Sequence, residues 1–259
     1  AMVTCRPDVS YAVIKLSQYS MNPAAIYYQA VRHLFRYLAL TKARGIHYWR
    51  NKPQPELHKI PPKTNVTTTE RLSKFPAHHT DFHSYVDSDW DNDKAHRRSV
   101  TGINIQIAGG TVLYKTKYQD VIAQSSTEAE LNGVDDEITK ILWTKRFIEW
   151  QGFEIELNIV YQDNTSSIKL EENGKASSGK RTRHFDIKLF YVTDLVERNE
   201  VHVRYCPTND MVADYMTKPV VGKKYQNFRD LIMNLSGRDH RIGQQECVGE
   251  QKSECHLLE

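Results

Sequence analysis

Nothing in these 259 residues approaches the run of about eighteen apolar positions that a membrane-spanning helix needs. No basic stretch followed by an apolar core opens the chain, so it carries no sign of a secretory signal. Cysteine is scarce. Cys5, Cys206, Cys247 and Cys255 are scattered, which argues against a disulfide framework and for a reducing compartment, cytoplasmic or nuclear. Cys247, Cys255 and His256 match no common zinc-finger spacing and sit in a polar tail. An excess of one charge is lacking too: 35 basic residues face 32 acidic ones, for a formal net charge of +3. That mildly basic balance permits a nucleic-acid partner without demanding one. Hydrophobic residues reach only 39%, enough for the core of one large or two ordinary domains.

What is present divides into four stretches. Residues 1–50 read as helical. Pro7 suits a first helical turn, and Val9, Ala12, Val13 and Leu16 recur at helical spacing. Asn22 reads as an N-cap before Pro23, Ile26, Ala30, Val31, Leu34 and Leu38 form an apolar stripe, and Gly45 reads as the stop. Residues 51–80 carry five prolines and "TNVTTTE" with neither period, as in a linker or insertion. From 81 to 219 the pattern alternates: a strand over 82–88, two strands turning at Gly109-Gly110, and a long helix over 126–150 with a Leu131, Val134, Ile138, Ile141 and Leu142 stripe ended by Gly152. A fourth strand within 155–163, helices through Ile168 and over 184–197, a fifth strand over 201–206 and a helix over 212–216 follow. This order predicts an α/β fold: a five-stranded mixed sheet, three strands antiparallel and then parallel ones, with flanking helices. Residues 220–259 read as a further helix and a tail.

Four acidic residues fall at informative places. Asp87 and Asp163 end strands, where α/β sheets present ligands, while Glu130 and Asp214 lie on helices able to cover the same edge. Four carboxylates meeting there repel unless cations join them. Hard divalent ions with oxygen ligands are the usual solution, and a pair of them supports phosphodiester cleavage. Each acid also has an ordinary reading, as a turn aspartate or a dipole-favoured glutamate at a helix start. Glu128 stands about 200° around the helix from Glu130, so only one of the two faces a shared site.

Together "YVDSDWDNDKAHRRSVTG", "AQSSTEAEL", "VYQDN", "RTRHFDI" and "VADYMTKP" resemble the ribonuclease H domain of copia-type LTR retrotransposon Pol polyproteins. The stretch from "CRPDVSYAV" to "ARGIHY" resembles the end of the reverse transcriptase just upstream. The resemblance runs from about residue 4 to 219. It implies an RNase H-like fold and cleavage of the RNA strand of RNA–DNA hybrids during reverse transcription, using two Mg²⁺ ions or Mn²⁺ in their place. It places the catalytic and metal-binding set on Asp87, Glu130, Asp163 and Asp214, and leaves Asp89, Asp91 and Asp93 in the loop beyond the strand. Substrate contacts are expected from Ser126, Thr127, Asn164 and Thr165 to 2′-hydroxyls. Lys175, Lys180, Arg181, Arg183 and His184 form a basic stretch suited to phosphates, with a cap at the helix start the other reading of His184, and Arg97 and Arg98 suit either a phosphate or internal pairs.

The resemblance also implies a partner in the remainder of the polyprotein, an intracellular setting such as a virus-like particle, and no membrane. Residues 1–50 are then a remnant of thumb or connection helices, and the absence of a "Y-x-D-D" motif excludes polymerisation by this segment. The main alternative is an inactive relic that still binds nucleic acid through the same surface. A DDE-type transposase or integrase is disfavoured, because there the last acid is a late Glu.

Overall fold

The computed structural model describes residues 5–48, 82–90, 98–155, 157–174 and 186–235. Its centre is strand β1 (Phe82–Asp89), buried along seven of its eight residues. Alternation sends Phe82, Ser84, Val86 and Ser88 to one face and His83, Tyr85 and Asp87 to the other. Both faces are covered, so neither side of this strand meets solvent along its first seven residues. β1 pairs antiparallel with β2 (Val100–Ile107), and β2 pairs antiparallel with β3 (Gly110–Tyr118). On its other edge β1 pairs parallel with β4 (Ile159–Gln162), which pairs parallel with β5 (His202–Tyr205). The order β3-β2-β1-β4-β5 is the expected five-stranded mixed sheet.

Helix α3 (Ser126–Trp150) covers the first face. Its expected stripe, Leu131, Val134, Ile138, Ile141 and Leu142, is wholly buried, and all but Leu131 join Phe82, Val86, Ile103 and Ile105 in one core. Two shorter helices, α4 (Thr165–Asn173) and α5 (Asp186–Glu197), flank α3 and connect β4 to β5. The second face is closed by a single-turn helix α6 (Asp214–Thr217) and by α7 (Gly222–Met233), around Tyr85, Tyr161, Met211, Met216, Phe228 and Ile232.

The hairpin turn lies one residue earlier than the sequence suggests. Ala108 and Gly109 take the positive φ values, 52° and 75°, and Gly110 already belongs to β3. Gly110 is needed for a different reason: a Cβ there would stand 2.7 Å from the Tyr48 ring. The expected fourth strand over 155–163 shortens to four residues, and the helix expected from 184 is described from Asp186. The stretches 51–80 and 236–259, with Cys247 and Cys255, lie outside the described residues.

The N-terminal segment forms a 3-10 turn (Pro7–Val9), α1 (Ser10–Ser17) and α2 (Ala25–Leu40). Helix α2 departs from expectation at both ends. It begins at Ala25 behind an extended Ala24, with no side-chain cap from Asn22. It stops at Leu40, well before Gly45, because Thr41 is buried and its hydroxyl is engaged twice, accepting from Arg6 at 2.7 Å and donating to the Tyr37 carbonyl at 2.6 Å. Of the expected stripe, Val31, Leu34 and Leu38 are half-buried while Ile26 and Ala30 are exposed. Arg32, Arg36 and Lys42 are exposed as well.

This segment is joined to the sheet by a buried polar knot. The Arg6 guanidinium donates to both Asp8 oxygens at 2.9 and 2.7 Å and to the Thr41 carbonyl at 3.1 Å, and the Tyr37 hydroxyl donates to Asp8. From the body, Tyr215 donates to the Asp8 carbonyl at 2.9 Å, and Tyr114 accepts from the Arg6 N–H at 3.2 Å. Among the described residues no helix is long and apolar enough to cross a membrane. Because Asp8 is the common acceptor of a buried pair, Asp8→Ala strands the Arg6 charge and is expected to cost about 3–5 kcal/mol in urea unfolding. A loss below about 1 kcal/mol, the surface-pair range, would show that the knot does not hold the segment down.

Candidate active site

The site is assembled at the carboxyl end of β1, where each acidic residue arrives by its own route. Asp87 is fixed by the strand, on the face covered by α6 and α7, and is 1% exposed. Directly across the ladder from it stands Gly102. A Cβ at 102 would meet the Met216 Cβ at 2.5 Å and the Thr217 methyl at 2.8 Å. The glycine therefore lets α6 lie against β2, bringing Asp214, Thr217 and Lys218 over Asp87.

Glu130 arrives from the other face on the second turn of α3. Ser125 caps that helix, accepting from the Glu128 N–H at 3.2 Å, while the Glu128 carboxylate reaches back to the Gln124 N–H. Glu128 is thus spent on the helix start, and Glu130 turns inward, 5% exposed. A second glycine permits this approach: at Gly133 a Cβ would meet the Ser88 hydroxyl at 2.3 Å. Buried Gln119 ties the parts together, donating to Thr101 at 2.8 Å, to Ser88 at 3.3 Å and to the Ala129 carbonyl at 2.7 Å.

Asp163 follows β4 and is half-buried, accepting from Thr208 at 3.0 Å. One carboxylate oxygen from each of Asp87, Glu130 and Asp163 lies within 4.8 Å of the others. One Glu130 oxygen is buried without a protein partner. An all-oxygen donor set with an orphaned carboxylate oxygen fits a hard divalent ion, Mg²⁺ or Mn²⁺.

Asp214, 1% exposed, is placed differently. Its oxygens accept from Lys218 at 2.6 Å and from Lys224 at 3.0 Å. Lys218 also stands 3.3 Å from Asp87, whose other oxygen accepts from the Thr217 hydroxyl. Of the four acids singled out in the sequence, Asp87, Glu130 and Asp163 each bring one oxygen within 4.8 Å of the others, while Asp214 is ion-paired with Lys218 and Lys224.

Charge explains the electrostatics. Burial drives the Asp87 carboxyl up to about 6, against the opposing pull of Lys218, with Asp214 adding to the rise. Glu130 is held well above the usual carboxylate range, first by burial and then by Asp87 and Asp163. Lys218 is raised far above the ordinary lysine value: burial lowers it, but Asp87 and Asp214 outweigh that.

An open cleft of about 460 Å³ sits over this group, lined by Asp87, Ser88, Asp89, Trp90, Glu130 and Lys218 together with Ser126, Asp163, Asn164 and Thr165. Thr127 does not line it; its carbonyl accepts from Ser167 at 3.4 Å. The Asn164 side-chain oxygen caps α4, accepting from Ser166 at 3.0 Å and Ser167 at 3.2 Å. Asp89 is corrected from the loop to the last position of β1, because its pairing with Val100 extends the ladder. Trp90 is held by its indole N–H on the Ala123 carbonyl at 3.0 Å. Arg98 is exposed, and it adds in a small way to the lowering of the Asp120 carboxyl that the Lys117 ammonium chiefly causes. Asp91, Asp93, Arg97, Lys175, Lys180, Arg181, Arg183 and His184 lie outside the described residues. Reading the sequence for acids passed over Thr217, Lys218, Lys224 and Thr208. The first two were legible in "DYMTK", three and four positions after Asp214 and so on its helix face.

No family model matches this chain. The retrovirus-related Pol polyprotein from transposon TNT 1-94 of Nicotiana tabacum is 28% identical over 232 residues, which cover 90% of this chain and 15% of that protein. The corresponding polyprotein from transposon RE1 of Arabidopsis thaliana is 28% identical over 228 residues, 88% of this chain and 14% of its own length. Homologues of this chain thus include retrovirus-related Pol polyproteins from plant transposons. The chain spans about one-seventh of the length of these curated relatives. A ribonuclease H1 isolated from compost superposes with a TM-score of 0.40 at 14% identity, over 53% of this chain and 92% of its own.

Two outcomes follow for the isolated protein. Gly102→Ala forces α6 off the sheet and is expected to cost about 1–3 kcal/mol in urea unfolding. Gly45→Ala, where a Cβ meets nothing within 4 Å, is the near-neutral control, and equal effects of the two would refute the close-approach argument. The second concerns pH. Asp87 is raised in the folded state, so its contribution to stability is present below the ordinary aspartate value of 3.8 and is lost as pH rises to about 6. In chelator, stability is expected to fall across that window by up to about 3 kcal/mol. Asp87→Asn should flatten the fall; an unchanged slope in urea melts at pH 4 and pH 7 would contradict it.

Proposed function

We propose that this chain is a retrotransposon ribonuclease H module, cleaving the RNA strand of RNA–DNA hybrids endonucleolytically with a divalent ion, Mg²⁺ or Mn²⁺. The observation that carries the reading is the convergence of Asp87, Glu130 and Asp163 within 4.8 Å, with an orphaned Glu130 oxygen among them. Homology to Pol polyproteins, whose reverse transcription creates hybrids, supports the substrate class.

An ion held by Asp87, Glu130 and Asp163 would lower the pKa of a bound water and neutralise charge on the scissile phosphate. The chain's own groups do the rest. Thr217 and Lys218 hold the Asp87 carboxylate in one orientation, and Thr208 does the same for Asp163. The Lys218 ammonium, one-third exposed to the cleft, is a fixed positive charge beside the reacting phosphate. In the hydrolysis, a water oxygen bonds to phosphorus, the bond to the 3′ oxygen breaks, and the proton the water loses is matched by one taken up by the departing 3′ oxygen, which leaves as a hydroxyl. Ser126, Asn164 and Thr165, small and polar at the cleft edge, suit contacts to the 2′-hydroxyls that mark the RNA strand. The remainder of the polyprotein is the expected partner, and the intracellular sites of reverse transcription the expected setting.

The second reading, an inactive module that binds nucleic acid, is favoured by one observation: both Asp214 oxygens are occupied by lysines. The two readings separate in one assay. With a labelled hybrid and Mg²⁺, the wild-type chain is expected to cut the RNA strand and spare duplex DNA, while Asp163→Asn lowers the rate at least about a hundredfold, as loss of a metal-bound catalytic group does. Salt-sensitive hybrid binding with no cleavage in either protein selects the inactive reading.

A further inference from the structure

We propose that Trp90 is a sugar-binding residue, whose indole face packs on a ribose of the RNA strand within about three nucleotides of the scissile phosphate. The inference rests on the ribonuclease reading above and adds an apolar contact to it. Trp90 directly follows β1, three residues beyond Asp87, and lines the same cleft. Three extended residues span about 10 Å. Successive nucleotides of one strand advance by about 3.4 Å along a duplex. A strand with its phosphate at Asp87 therefore brings a nearby sugar to Trp90.

The chemistry of the side chain points the same way. Trp90 is 45% exposed, and every other described residue that lines the cleft is polar or charged. The indole N–H, its one polar group, already donates to the Ala123 carbonyl at 3.0 Å. What remains for a ligand is the carbon face of the ring. The same bond fixes that ring beforehand, so a ligand loses little affinity in ordering it. The loop that carries Ala123, between β3 and α3, adds exposed Val121 and Ile122, so the apolar surface continues beyond Trp90. Apolar surface at the rim of a polar site marks a binding surface. In a paired hybrid the base faces are stacked away, and the wide, shallow minor groove presents sugars and their hydroxyls. Ser126, Asn164 and Thr165 suit the hydroxyls, and Trp90 suits the carbon side of a sugar. Such a contact is the same for every base, so it holds the strand without reading its sequence.

The test is binding of a labelled RNA–DNA hybrid to the full chain by fluorescence anisotropy, with Ca²⁺ in place of Mg²⁺ so that turnover does not intervene. Trp90→Ala is expected to weaken binding about tenfold, within the range for loss of one stacked aromatic, and Trp90→Phe, which keeps a ring face without the N–H, by less than about threefold. Trp143→Ala removes a tryptophan that is 61% exposed on α3 and does not line the cleft, and is expected to bind as the wild type does. Hybrid binding is expected to quench tryptophan emission in the wild type and not in Trp90→Phe, which decides the contact if circular dichroism shows that the alanine variant does not fold. Along the RNA strand, an abasic ribose near the scissile phosphate is expected to keep the affinity, while a three-carbon spacer there lowers it in the wild type and not in Trp90→Ala. Equal affinities of the wild type and a folded Trp90→Ala, equal losses in the alanine and phenylalanine variants, or an abasic loss as large as that of the spacer overturns the proposal, and RNA cleavage in Mg²⁺ then leaves the ribonuclease reading intact. The expected binding pattern without cleavage overturns the active reading alone. Failure of the wild-type chain to bind the hybrid overturns both.

Discussion

Taking carboxylates out of water is the constraint from which the rest of this site follows. Asp87 and Asp214 are each 1% exposed and Glu130 is 5% exposed, at one end of one strand. Each such group left charged and unpartnered costs several kcal/mol. The chain meets that cost in two ways. Around Asp214 it supplies Lys218 and Lys224, whereas among the described residues no ion pair joins Glu130. The same cleft thus contains a finished electrostatic structure and an unfinished one, separated by the Asp87 side chain.

Bringing these groups together requires backbones closer than side chains normally allow. At two places where a helix lies close against the sheet the residue is a glycine, Gly102 under α6 and Gly133 on α3. They act on opposite faces of the same ladder, flanking Asp87 and Ser88. Gln119 then secures the α3 contact with hydrogen bonds to Ser88, Thr101 and the Ala129 carbonyl. Packing that looks structural is thereby what sets the carboxylate spacing. A side chain at either glycine would change the site without touching an acid.

The parts of this arrangement legible in the sequence were those written as local patterns. The α3 stripe from Leu131 to Leu142 repeats at helical spacing over a long stretch and begins at a serine cap, so its span and buried face could be read directly. The position of Asp163 directly after β4 was readable from its apolar run, whereas Asp87 lies two residues before the end of β1. What was not readable depended on partners distant in sequence. Asn22 and Pro23 form a plausible helix start, but Arg6, thirty-five residues from Thr41, decides where α2 ends. The Gly109-Gly110 pair reads as a turn, yet the second glycine serves Tyr48. Asp214 reads as one acid among four until Lys224, from a separate helix, is placed on it.

The N-terminal segment belongs in the same account. Tyr215, the neighbour of Asp214 on α6, donates to the Asp8 carbonyl, and Asp8 is the acceptor for Arg6 and Tyr37. A line of buried hydrogen bonds therefore runs from the cleft, through one turn of helix, into α2. Helix α6 has only four residues and no side-chain cap of its own. A helix that short has little intrinsic stability and takes its position from what it packs against. On one side that is Gly102, and on the other it is the segment carrying Asp8. The 5–48 region is consequently one wall of the mould that holds Asp214, Thr217 and Lys218 over Asp87, so its loss would loosen the lysine side of the site before the Glu130 side.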